Sequence, residues 1–294
     1  MKIGNERLKW LIFIGLSFVW GSSFILMKLA MLHLSPTQVG AFRMIIAGIF
    51  LLLLFYKRLF HISKRHWKYL FFISISGTFI PVFLFTFAIQ HIDSGVVAIL
   101  NSFTPLNTLI VGYFFFQYLF TRRQLTGIFI GIVGTIMLVY QSADVNPGDN
   151  YWYALLVLVA TLGYAINVNV IKKHLADLDA ISIATGNFAW VLLPSMLVLY
   201  LTGFFEMDYM QEPVLIAIGY VGLLAIFGTA VAMIYFNKMV HIASPLFASS
   251  VTYTIPLIAV LWGIWDDEKI SLLQILAGGI ILLGVYIVNS KGSS

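Results

Sequence analysis

Two cations interrupt otherwise apolar sequence. Lys28 follows Trp20 and Phe24 at spacings of eight and four, which puts the three on one face of a helix. Arg43 stands alone in the apolar stretch 36–56. A charge in such surroundings is costly and as a rule faces an interior or a water-filled path. Either cation there would attract a carboxylate or a phosphate. A structural reading competes at both positions: Lys28 snorkels to a nearby interface, and Arg43 braces helix ends through their carbonyls.

Neutral polar residues make a second group. Asn101-Ser102-Phe103-Thr104-Pro105 and Thr252-Tyr253-Thr254-Ile255-Pro256 each stand in the middle of an apolar run. Each proline removes one helical hydrogen bond and frees a carbonyl about four residues earlier, near Asn101 and Thr252. Those carbonyls can serve a ligand if they line a cavity, or they can belong to a kink closed by interhelical hydrogen bonds. Tyr164 and Asn167 follow Gly163. Trp20, Phe83, Tyr164 and Tyr253 are cavity candidates by position, and Ser23 belongs to the neutral polar set. Ser22, Asn107, Asn169, Asn187 and Asn237 complete the set. The candidate binding residues are thus Trp20, Ser23, Lys28, Arg43, Phe83, Asn101, Thr104, Tyr164, Asn167, Thr252 and Tyr253, with Pro105 and Pro256 as kinks.

The elements that must carry them are set by composition. Of 294 residues, 61% are apolar and 10% charged, against about 45–50% and 25% in a soluble domain. A bilayer core about 30 Å thick needs roughly 20 apolar residues of helix. Segments 8–31, 36–56, 68–90, 95–118, 122–140, 150–171, 180–202, 213–237, 244–265 and 270–289 meet that requirement. The expected class is an all-α integral membrane protein with ten transmembrane helices. The apolar run after Met1–Lys9 is too long for the core of a signal peptide, so it is read as a retained first helix.

Loop charge orients this arrangement, because Lys and Arg gather on the cytoplasmic side. With the N-terminus inside, all 17 basic residues fall in cytoplasmic segments except Lys28, Arg43 and Lys269. Both termini are expected in the cytoplasm, in a bacterial inner membrane. The net charge of +5 is explained by basic loops beside anionic membrane lipids, and no nucleic-acid partner is implied.

The second half of the chain resembles the first at an offset of about 150 residues. Gly77-Thr78 matches Gly228-Thr229, His91-Ile92-Asp93-Ser94 matches His241-Ile242-Ala243-Ser244, and Pro105-Leu106 matches Pro256-Leu257. Five spans per unit, an odd number, make the units opposite in topology. The expectation is an inverted repeat, 8–140 and 150–289, with a site near the midplane. Gly127, Gly131 and Gly134, with Gly278, Gly279 and Gly284, allow close helix approach. They are expected to pack the fifth and tenth spans together or to form a homodimer seam.

Trp20-Gly21-Ser22-Ser23-Phe24, Lys28, Pro36 and Arg43, followed by the Pro105 and Pro256 helices and the glycine-rich fifth and tenth spans, resemble the EamA family of the drug/metabolite transporter superfamily. That resemblance covers about residues 10–290. It implies two five-helix units and the export, or in some members uptake, of amino acids and related small metabolites. Multidrug members of the wider superfamily carry a carboxylate in the first helix. Here Glu6 lies at its edge and no Asp or Glu lies clearly within a span, which argues against carboxylate-based proton exchange and cationic cargo. The chain has no cysteine, no His-Glu cluster and no paired carboxylates, so no enzyme chemistry, metal or cofactor is expected. A channel or a membrane sensor is the alternative reading.

Overall fold

Ser35 and Gln38 cap each other at the start of the second helix. The Ser35 hydroxyl accepts the Gln38 N–H at 3.2 Å, and Gln38 Oε1 accepts the Ser35 N–H at 2.8 Å. Pro36 occupies the first helical position, where its missing N–H costs nothing. Signals of this kind punctuate a chain that the computed structural model describes over residues 2–117, 121–145, 150–267 and 271–289. Every regular element among these residues is helical.

In chain order the α-helices are α1 (Lys2–Ala30), α2 (Pro36–Phe55), α3 (Lys64–Ser74), α4 (Ile80–His91), α5 (Ser94–Asn101), α6 (Thr104–Phe116) and α7 (Arg122–Val145). They continue as α8 (Ala154–His174), α9 (Ala180–Leu201), α10 (Glu212–Ala225), α11 (Ala232–Ile242), α12 (Pro245–Ser249), α13 (Ile255–Trp265) and α14 (Leu272–Asn289). Among the described residues, eight continuous stretches of helix are long and apolar enough to cross a membrane. The remaining two segments expected from the sequence contain α7 and α14, which pack against each other. A Cβ on Gly134 would stand 2.8 Å from the Ile281 nitrogen, and one on Gly284 would stand 2.6 Å from the Gly127 carbonyl oxygen. These glycines therefore join α7 to α14 backbone to backbone.

Two spans are widened in the middle. α3 runs into α4 through a π turn, Ile75–Phe79, and α10 runs into α11 through another, Ile226–Val231. Each turn contains a Gly-Thr pair, Gly77-Thr78 and Gly228-Thr229. Turns of this type put an extra residue into the helical ladder and often mark functional sites. The glycines let a neighbouring helix come close. A Cβ on Gly77 would fall 2.4 Å from Asn167 Cβ of α8, and one on Gly228 would fall 2.8 Å from Ser23 Oγ of α1.

Two other spans are broken at their prolines. α5 stops at Asn101 and α6 resumes at Thr104, while α12 passes through a 3-10 turn, Ser250–Tyr253, before α13. Pro105 cannot bond the Asn101 carbonyl, and the Thr104 hydroxyl takes it instead at 2.7 Å. Pro256 leaves the Thr252 carbonyl free in the same way, and Ser102 Oγ donates to it at 3.0 Å. Both freed carbonyls thus have protein hydroxyl partners, and Ser102 ties the two broken spans together.

Candidate functional site

The widened turns and the broken spans converge on one cavity of about 110 Å³. A single water needs roughly 10–15 Å³ on the same measure, so several waters or a small organic group fit. Its wall is mostly apolar. Phe85 and Tyr164 stack at 5.7 Å between ring centroids on one side. Trp20 and Phe236 meet at 5.3 Å elsewhere on the wall, which Met27, Met44 and Met233 also line.

The polar groups are few and specific. Arg43, on α2, is the cationic residue of the wall, and no Asp or Glu lines the cavity among the described residues. Its Nε donates to Thr229 Oγ1 at 2.7 Å, and its Nη1 reaches only the Met27 sulfur, at 3.7 Å. No ion pair among the described residues includes Arg43. A guanidinium enclosed by protein without a carboxylate is expensive. Such a group is suited to a ligand anion, because its planar fork matches a carboxylate or phosphate. Asn167 adds an amide that is 3% exposed, with Oδ1 lacking a hydrogen-bond partner. Trp20 Nε1 donates to the Gly228 carbonyl at 2.9 Å and fixes the indole against the second π turn.

Of the residues expected from sequence, Trp20, Ser23, Arg43, Asn101, Thr104, Tyr164, Asn167 and Thr252 line this cavity. Lys28, Phe83 and Tyr253 do not. Lys28 Nζ pairs with Asp266 at 2.6 Å at the end of α13. Phe83 packs edge-on to Phe79 at 5.0 Å and close over Gly40. Tyr253 joins a small apolar cluster with Leu106 and Leu109. Several neutral polar side chains are interhelical fasteners. Asn107 Nδ2 donates to Thr161 at 2.8 Å, Asn169 Nδ2 to the Thr108 carbonyl at 3.0 Å, and Trp262 Nε1 to Ser22 at 2.9 Å. The sequence reading missed Thr78, Phe85, Thr229 and Phe236 as wall residues. The signal for the two threonines was present, since both stand in the repeated Gly-Thr pairs.

The bundle is tied by ion pairs at both ends. α2 has 20 residues and is therefore about 30 Å long; at the end where it starts, Lys28 in the last turn of α1 pairs with Asp266. Beyond its other end, Arg58 pairs with Asp179 and Arg65 with Asp177, whose carboxylate Oδ2 also lies 3.1 Å from His66 Nε2. Asp179 also caps α9. Partial burial pushes its carboxyl up, but bonds from the Ser182 hydroxyl and amide, the Arg58 charge and the Ile181 amide outweigh that and hold it below the usual carboxylate range.

Comparison with known proteins fits this geometry. The model of the EamA-like transporter family matches residues 8–140 and again 151–290. The chain belongs to the EamA-like transporter family. Relatives of this EamA-like transporter include an S-adenosylmethionine/S-adenosylhomocysteine transporter of Chlamydia muridarum. That protein is 25% identical over 84% of this chain and 80% of its own length. The inner membrane transporter YedA of Escherichia coli K12 is 27% identical over 93% of this chain and 88% of its own. A solved crystal structure covers 95% of both chains with a TM-score of 0.67 at 14% identity, a likeness of fold. The protein is thus a multi-pass, all-helical membrane transporter of this family.

Proposed function

We propose that this protein is a secondary transporter that exports amino acids, or related small metabolites bearing a carboxylate, across the bacterial cytoplasmic membrane. In this reading ten spans form two inverted five-helix halves, 8–140 and 150–289, with both termini in the cytoplasm. The halves rock about the midplane cavity, opening it to one side and then the other. The observation that carries the reading is Arg43: a cation on the cavity wall, held by Thr229, with no acidic residue beside it among the described wall residues.

The paired correspondences support the repeat. The π turns share a Gly-Thr sequence, and the family model matches twice. The ion pairs at both ends fit a cycle in which one set opens while the other holds. The S-adenosyl compounds named for one relative are amino-acid derivatives, which makes them reasonable members of a first substrate panel.

Counterflow in proteoliposomes tests the class. Vesicles loaded with an unlabelled substrate should accumulate the labelled form transiently and saturably. A flux that equilibrates without exchange would point to a channel, and no solute-dependent exchange across a broad metabolite panel would defeat the reading. Direction is tested by comparing metabolite release from cells with and without the protein. Faster release should accompany expression.

A further inference from the structure

The two π turns are fastened sideways by different chemistry. Thr78 Oγ1 accepts from Asn187 Nδ2 of α9 at 2.9 Å, and Asn187 is 1% exposed and stands outside the cavity wall. Thr229 Oγ1 accepts from Arg43 Nε of α2 at 2.7 Å, and both of these residues line the cavity. Thr229 also donates to the Leu224 carbonyl, five residues back, at 3.2 Å. That bond orients the hydroxyl so that a lone pair faces the guanidinium.

An arginine side chain has many rotamers, and each ligand contact it makes must repay their loss. Pinning Nε removes much of that freedom beforehand and fixes the plane of the fork. The Nη1 and Nη2 groups then have no oxygen partner among the described residues; Nη1 rests on the polarizable Met27 sulfur. With no protein oxygen taking either of them, both Nη groups are able to donate to a ligand.

We propose that Thr229 is a positioning residue for substrate: its hydroxyl holds Arg43 by Nε so that the two Nη groups take a carboxylate end-on. This rests on the reading of Arg43 as the anion site. It extends that reading to the π turn, because whatever the carboxylate does to Arg43 is felt directly by the turn that joins α10 to α11. Asn187, the matching donor at the other turn, has no such role.

The test uses the full-length protein in nanodiscs, with 3-phenylpropionate and 3-phenylpropionamide as probes of one shape and two charges. The wild type should bind the anion at least tenfold more tightly than the amide. Thr229→Val should lose most of that preference while leaving the amide's affinity within about twofold, and Thr229→Ser should restore it. Asn187→Ala should leave the preference unchanged. Independently of any ligand, the Arg43 Nε–H signal in arginine-labelled protein should be slow to exchange in the wild type and in Thr229→Ser, and fast in Thr229→Val. If Arg43→Gln abolishes the preference but Thr229→Val does not, or if Nε–H exchange ignores residue 229, the positioning role is wrong while the anion site stands. If the wild type shows no preference for the anion, whether it binds both probes or neither, the anion site fails and takes this inference with it.

Discussion

The π turn at Ile75–Phe79 and the π turn at Ile226–Val231 are the most instructive pair of regions in the molecule. Both interrupt a long apolar span at a Gly-Thr pair, and in both a side chain from a distant helix donates to the threonine hydroxyl. The scaffolding is the same; the donors differ. At the first turn the donor is a neutral amide sealed in the core, and at the second it is a guanidinium facing a cavity. One fastening is neutral and closed off, whereas the other carries a charge to which, in the proposed reading, an anionic substrate binds. The difference shows how two turns of one sequence pattern can stand beside the same cavity while a charged partner holds only one of them.

The largest effect should come from removing that charge. Arg43→Gln should cost carboxylate substrates about 2–5 kcal/mol, the range for truncating one partner of a desolvated charged contact, and should spare neutral analogues. Counterflow of matched anionic and neutral compounds would measure it, and an equal loss for both would reduce Arg43 to a helix brace.

The comparison also predicts unequal stability costs. Ala is worth about 1 kcal/mol more than Gly inside a helix, so only a steric clash can make Gly→Ala harmful here. At Gly77 the new methyl would meet Asn167 Cβ, fixed to the α8 backbone, at 2.4 Å. At Gly228 it would meet the Ser23 hydroxyl at 2.8 Å and a Leu224 methyl at 3.1 Å. The hydroxyl can turn aside by giving up its bond to the Val19 carbonyl, a loss of about 1 kcal/mol that offsets the gain in helix propensity. Gly77→Ala should therefore destabilise by about 1–3 kcal/mol through overpacking, and Gly228→Ala should be close to neutral. Thermal unfolding in one detergent would rank them, and equal costs would mean that the turns are not differently buttressed.

How much of this was legible in the sequence depends on the length scale of each cause. A span is a local property, about 20 apolar residues between polar ends, so the candidate membrane helices could be read directly. Pro105 and Pro256 likewise announced their breaks, since a missing N–H is written in the residue itself. What happened to the freed carbonyls was not legible, because the partner of Thr252 is Ser102, 150 residues away. The π turns were hidden for a similar reason. Nothing in Ile-Ser-Gly-Thr-Phe interrupts an apolar helix, and the widening goes with α8 pressing on Gly77. Lys28 and Arg43 looked alike as cations in apolar sequence, and only the fold shows that Asp266 reaches one of them.

The broken spans yield a smaller effect. Ser102→Ala leaves the Thr252 carbonyl without its donor, and a lost neutral hydrogen bond is worth about 1 kcal/mol. A fall in thermal stability of that order, with the anion preference of the cavity intact, is the expected outcome. A changed preference would mean that the broken spans help to shape the ligand site directly.

Lys28 supplies the smallest expected change and the sharpest contrast with Arg43. Its ion pair with Asp266 is 2.6 Å long, but the two side chains are 34% and 25% exposed. A pair that water and salt reach in part is typically worth about 0–1 kcal/mol, and Lys28 does not line the cavity. Lys28→Gln should therefore leave the ratio of anionic to neutral substrate affinity unchanged, and raising the salt concentration, which screens the wild-type pair, should leave that ratio unchanged in the variant as well. If the pair is one of the end ties that open during the cycle, the variant should alter the exchange rate with little change in the half-saturating concentration. A selective loss of anionic substrates would instead return Lys28 to the binding site and divide the anion's recognition between two helices.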